Sequence, residues 1–173
     1  MEKQGDKKLA ELILYISEKS ESDPRFGAVK LNKILFFSDA IAYGKMGAAI
    51  TGQEYQRLPW GPAPRRLLPV RDQLRADEEL AIRKTDRFGQ EQDRTIALRP
   101  ADLDAFSGAE IAIVDEVIQA LWDRNAAEVS DLSHRVRGWQ LASEGETIPY
   151  ESIFLSDRPL TDAEKAHAET IRA

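Results

Sequence analysis

The stretch Val29-Lys30-Leu31-Asn32-Lys33-Ile34-Leu35-Phe36-Phe37, continued by Ala40 and Ile41, decides the fold. Its apolar residues occupy far more of the circumference than the single stripe of a surface helix, and a helix apolar on nearly every side is packed on several sides. The spacing predicts a helix over 27–43 at the centre of the core. Gly44 and Gly47 supply the conformations that end it. Lys30 and Lys33 form its polar stripe, open to a partner or to an acid such as Glu54.

Working outward, Leu9, Leu12, Ile13 and Ile16 repeat at helical spacing and predict a first helix over 7–20, stopped by Ser20-Glu-Ser-Asp-Pro24. On the other side, 48–55 reads as irregular or briefly extended. The turn Leu58-Pro59-Trp60-Gly61-Pro62-Ala63-Pro64 follows, with too few amide donors for a regular ladder. Pro64 suits the first turn of a helix over 64–75, with a kink or restart at Pro69. Leu80-Ala-Ile-Arg-Lys-Thr and Arg94-Thr-Ile-Ala-Leu-Arg alternate apolar and polar residues, which predicts a β-hairpin joined by the polar connection 86–93.

Asp102 or Ser107 caps an amphipathic helix over 108–125, built on Ile111, Val114, Ile118 and Leu121. A short helix spans 126–135, with a break at Gly138-Trp139. The loop 145–150 is pinned to the core by Ile148 and Tyr150. Thr161-Asp-Ala-Glu opens a last, polar helix. The expected fold is mainly α: a single compact helical domain, 1–173, with a central apolar helix and one small β-hairpin. Its core covers 7–155, and 156–173 forms a polar, helical tail.

The 173 residues carry 24 Lys and Arg against 30 Asp and Glu, two His and no Cys. The missing cysteines exclude disulfides, iron–sulfur clusters, thiolate zinc sites and a Cys nucleophile. No run approaches the roughly 18 uncharged residues of a membrane span, and Met1–Lys8 lacks a signal peptide's apolar core, so a cytoplasmic protein without membrane contact is expected. The net charge of −6 argues against nucleic acid as a direct ligand. An acidic surface instead speeds encounter with a cationic partner. Only 57–99 is mildly basic, at +3.

Chemistry leaves little trace. Ser133 and His134 are neighbours, about 100° apart on a helix, and do not face each other. Asp131 and His134 share a face, as a hydrogen-bonded pair rather than a ligand pair, since no second His is near. No phosphate loop or nucleophile elbow is present, and nothing calls for a cofactor or metal.

Three segments in order carry a resemblance: Lys30-Leu31-Asn32-Lys33-Ile34-Leu35-Phe36-Phe37, then Leu58-Pro59-Trp60-Gly61-Pro62, then Leu132-Ser133-His134 with Trp139 and Gly145-Glu146-Thr147-Ile148-Pro149. Their order and spacing resemble the Panacea domain, the SocA-like antitoxin family. That family shows a Lys-Leu-x-Lys-Leu-Leu-[Tyr/Phe]-Phe helix, a Trp-x-Tyr-Gly-Pro turn and a late Leu-Ser-His…Trp segment. Here Leu58 replaces the usual Trp, Trp60 the usual Tyr, and Pro64-Arg65-Arg66 follows the turn. The resemblance spans 9–153. It implies a mainly helical antitoxin that neutralises a cognate toxin by direct binding, without chemistry of its own. An adaptor that hands a client to a protease or chaperone through the 161–173 tail is the alternative, and a small hydrolase or transferase centred on His134 is a third.

Binding energy at such a contact concentrates in a few aromatic or Arg anchors. By residue type the candidates are Trp60, Arg65, Arg66, Phe88 and Trp139, with His134, Lys30 and Lys33. Trp60, framed by prolines, reads as a lid on the core, and Trp139 as a core residue. Arg65 and Arg66 sit at a helix start, where cations oppose the dipole, so each calls for a partner or an internal carboxylate.

Overall fold

The computed structural model describes residues 4–87, 89–155, 161–163, 165, 166 and 170. Helix α1 (Gln4–Lys19) buries Leu9, Leu12, Ile13 and Ile16 completely, the face that the spacing marks. Helix α2 (Ala28–Met46) is the core helix, with Leu31, Ile34, Leu35, Phe36, Ala40 and Ala42 buried. It packs on α1 and on the segments 61–64, 90–97, 108–121, 126–134 and 150–154. Gly47 ends it in the left-handed conformation (φ 78°), its N–H donating to the Tyr43 carbonyl.

The chain then forms β1 (Tyr55–Leu58), β2 (Gly61–Pro64), α3 (Leu67–Ala76), β3 (Leu80–Arg87) and β4 (Gln90–Ala97). Next come α4 (Gly108–Leu121), α5 (Ala126–His134), α6 (Arg137–Leu141), β5 (Thr147–Ile148) and a 3-10 turn at Tyr150–Phe154. Asp102 caps a 3-10 turn at Leu103–Ala105, while Ser107 with Glu110, and Asn125 with Glu128, make capping boxes for α4 and α5. The domain is mainly α, but it carries two small antiparallel sheets where a single hairpin is expected: β2-β1-β5 and β3-β4.

The first sheet is the main correction. Prolines in 58–64 were expected to forbid a ladder, yet Arg57 pairs with Pro62 and Tyr55 with Pro64. Arg57 donates its N–H to the Glu146 carbonyl and accepts from the Gly145 N–H, so its hydrogen bonds run to the other side. Pro62, and Pro64 two residues on, therefore turn their nitrogens to the open edge, the place where a sheet tolerates proline. Pro64 consequently closes a strand instead of opening a helix. Helix α3 begins at Leu67, and Pro69 falls in its first turn, where N–H groups have no intrahelical acceptor in any case.

Other departures are smaller. β3 and β4 run to a turn of two residues (Arg87 pairs with Gln90), absorbing the connection expected at 86–93. Gly138 and Trp139 lie inside α6 instead of breaking it. A Cβ on Gly138 would stand 2.0 Å from Ser152 Oγ, so glycine is there for close packing. Ile148 is buried and Tyr150 donates to the Gln53 carbonyl, pinning that loop as expected. Of the tail 156–173, the described residues 162, 163, 165, 166 and 170 are helical, and the Lys165 N–H donates to the Thr161 carbonyl at 3.0 Å.

Asp39, fully buried on α2, fixes the irregular stretch before β1. It accepts from the Thr51 N–H (2.8 Å), Thr51 Oγ1 (2.5 Å) and Tyr55 Oη (2.8 Å). Burial holds its carboxyl above the usual range, partly opposed by these bonds.

Candidate functional site

The three segments singled out by their sequence meet around the β1–β2 turn. Each carbonyl along Leu58-Pro59-Trp60 faces a side chain or ring from the C-terminal half. Trp139 Nε1 donates to Leu58 O (3.0 Å), and Ser130 Oγ donates to Trp60 O (3.3 Å). The Pro59 backbone lies against His134. Ser133 Oγ donates to Ser130 O (2.8 Å), which ties the hydroxyl to α5 rather than to His134. Gly61 adopts φ 112°, and a Cβ there would stand 2.4 Å from Ser133 Oγ and 2.6 Å from Lys33 Cε and Nζ. Only glycine permits both that backbone and that approach.

Lys33 points up from α2 beneath this turn and is 1% exposed. Among the described residues its ammonium has no carboxylate or hydrogen-bond partner, and burial pulls its pKa down to about 7. The sequence reading placed it on an accessible polar stripe; a helix packed on nearly every side buries its polar residues too. His134 stacks on Trp139 with ring centroids 3.9 Å apart. Burial lowers the His134 pKa, helped by the charges of Lys33 and Arg57 and opposed by Asp131 and the Pro59 backbone. No hydrogen bond joins Asp131 to His134 among the described residues, and His134 Nε2 is buried without a partner.

Trp60 projects from the tip of the turn and is 69% exposed, so it is no lid on the core. Beside it, Arg57, Leu58, Pro59, Trp139 and Glu144 line a cleft of about 270 Å³. The Arg57 guanidinium lies 4.5 Å from the centre of the Trp139 ring, and its Nε is buried without a hydrogen-bond partner. Trp139 is half-buried, one edge in the core and the indole at the cleft.

The remaining candidates lie elsewhere. Lys30 is buried against Asp23 (2.7 Å), not Glu54, and burial lowers its pKa against that pairing. It is a structural ion pair, unavailable to a partner. Arg66 binds Asp6 through Nε (3.1 Å) and Nη2 (2.9 Å), the internal carboxylate that its position called for. Arg65 holds β5 to β2, donating to Gly145 O (2.6 Å), Thr147 Oγ1 (2.9 Å) and Gln56 Oε1 (3.1 Å), with Glu54 at 3.7 Å. Phe88 lies outside the described residues. Arg57 was not singled out in the sequence, and Gly61 only as part of the turn, because nothing marked that segment as a strand.

A larger cleft, about 380 Å³, lies between the start of α2 and β4. Its cations are already paired: Lys30 with Asp23, Lys84 with Glu91 and Arg25 with Asp123. No cluster of His, Asp and Glu among the described residues could hold a metal, and no described helix is long and apolar enough to cross a membrane.

The family model for the antitoxin SocA-like Panacea domain matches residues 31–140. That range contains Lys33, Arg57, Trp60, Gly61, Ser133, His134 and Trp139. Neither a curated protein nor a solved structure shows significant similarity to the chain.

Proposed function

This chain belongs to the antitoxin SocA-like Panacea domain family, and from that premise we propose that it neutralises a cognate toxin by covering it, with the β1–β2 turn as the centre of the contact. The observation that carries this is the exposure of Trp60 on a turn held rigid by α2, α5 and α6. A large aromatic ring left in water costs the free protein solvation that a partner recovers, and a rigid mount loses little entropy on docking. Pro59, exposed beside it, extends the apolar contact, and a stable complex needs about 800 Å² buried on each side.

The test uses a short neighbouring reading frame whose expression alone stops growth. Co-expression of this chain restores growth, and the two proteins co-elute. Trp60→Ala weakens the complex at least 100-fold, equal to about 2.7 kcal/mol, and abolishes rescue. Leu68→Ala, 55% exposed on α3, leaves rescue intact. Rescue by Trp60→Ala at wild-type strength would sink the assignment of this face. Removing 156–173 leaves rescue in place when covering alone is the mechanism, and loses it when the chain delivers its client to a protease or chaperone.

A further inference from the structure

The cleft beside Trp60 contains an arginine with no carboxylate of its own. Arg25, Arg65, Arg66, Arg94 and Arg99 are each bonded to a carboxylate or a backbone carbonyl: Arg25 to Asp123, Arg65 and Arg66 as given, Arg94 to three carbonyls and Arg99 to Glu11 and Glu79. Among the described residues, the Arg57 guanidinium has only the Trp139 ring, 4.5 Å away. Glu144 lines the same cleft but makes no ion pair with it, and Glu146 turns back to accept from the Ser143 N–H. A guanidinium spread on an indole keeps its planar fork of donors in one orientation, at little further entropic cost on binding.

Lys33 has no ion-pair or hydrogen-bond partner among the described residues behind the turn, and His134 stacks on Trp139, the ring partner of Arg57. Asp131 acts on His134 as a negative charge, and it lies on the exposed side of α5. Within a chain whose net charge is −6, the cleft itself is lined by one cation, Arg57, and one acid, Glu144.

We infer that this cleft is a carboxylate receptor: Arg57 takes an Asp or Glu side chain from the partner's docking segment, while Trp60 and Pro59 cover an apolar residue next to it. The inference rests on the proposed function and names the chemistry of its contact. Charge complementarity selects the occupant, because an arginine fork without an acceptor binds a carboxylate in paired, charge-assisted hydrogen bonds. The partner's overall charge is a separate matter; a cationic toxin with one acidic, apolar segment satisfies both.

The probe is 3-phenylpropionate, one ring and one carboxylate, with 3-phenylpropanamide as the neutral control. In ¹⁵N–¹H spectra the acid shifts the Trp139 Nε1–H and Arg57 Nε–H signals saturably. The amide, and sodium chloride at the same ionic strength, shift them at least fivefold less. Arg57→Met removes the response, and Arg57→Lys, which keeps the charge without the fork, weakens it at least fivefold. Equal binding of acid and amide, or wild-type binding by either variant, overturns the inference. Growth rescue separates the two levels: if Trp60→Ala fails to rescue while Arg57→Met and Arg57→Lys both rescue fully, the carboxylate receptor falls and the toxin contact stands. If all three rescue fully, the toxin contact at this face falls, whatever the probe shows.

Discussion

The two hairpins close with equally short turns and are held in opposite ways. The β3–β4 hairpin is fastened at its base. Arg94, buried, donates to the carbonyls of Asp23 (2.8 Å), Phe26 (3.1 Å) and Glu21 (2.9 Å), and Thr95 shares a 2.6 Å bond with Ser17. Farther out its cross-strand pairs, such as Lys84 with Glu91, are exposed and screened by water. The β1–β2 hairpin is gripped at the turn itself, by Trp139, Ser130 and the close approach of Gly61 to Lys33 and Ser133. A hairpin held at its base projects charged pairs; one held at its tip can fix a single side chain, Trp60, in place. The second arrangement suits recognition by one rigid anchor.

The sharpest way to break this contrast is to add one methyl group to each turn. At Gly61 the backbone is in a region closed to other residues, and the new Cβ meets Ser133 Oγ and Lys33. Strain and overpacking together make Gly61→Ala destabilising by about 4 kcal/mol. Gly89 has φ 73° and open space around it, so Gly89→Ala costs only the left-handed penalty of about 1 kcal/mol. Urea denaturation of the two variants measures both values. Equal losses would mean that the first turn is as loosely held as the second.

The same contrast explains what the sequence conveyed. The β3–β4 strands alternate apolar and polar residues and were legible from that pattern, short only at their outer ends, although the structure buries the neighbours Arg94 and Thr95. The β1–β2 strands are too short for a period, and the prolines argued against them. Whether a proline nitrogen faces a neighbour or an open edge depends on register, which two distant residues, Gly145 and Glu146, decide here. Helices α1, α2, α4 and α5 were legible from spacing and caps, because those signals are local. The site was half legible. Lys33, Trp60, His134 and Trp139 were singled out one by one, by type and motif, and that they lie around one turn came only from the structure; Lys30 and Arg66 found internal acids, Asp23 and Asp6. Trp60 was misjudged because a proline-framed turn carries no information about which way its tip faces.

Lys33 gives the next largest effect, and with the opposite sign. The folded chain lowers its pKa to about 7 from the ordinary lysine value of 10.5. The unfolded chain therefore binds the proton more readily, and folding loses stability below pH 7. The loss is relieved as pH climbs from 7 toward 10.5. At about 1.4 kcal/mol per unit the penalty is on the order of 5 kcal/mol below neutrality. Lys33→Met removes it, and after repacking stabilises the protein by about 2 kcal/mol at pH 7. Denaturation midpoints against pH should rise from 7 to 10 for the native chain and stay flatter for the variant. A variant less stable at pH 7 would mean that the ammonium holds the turn instead of burdening it.

Trp60 gives the smallest effect on folding, and that is its diagnostic value. With 69% of its surface in water and its carbonyl, not its ring, bonded to Ser130, the indole contributes little to the fold. Trp60→Ala shifts stability by no more than about 0.5 kcal/mol, the range of exposed substitutions. Trp139→Ala, by contrast, removes the bond to Leu58 O and the stack on His134, and destabilises by about 2 kcal/mol. Thermal melts of the pair decide the matter: a large loss at Trp60 would make the ring part of the turn's own packing, and leave the rigid hairpin without an anchor to offer.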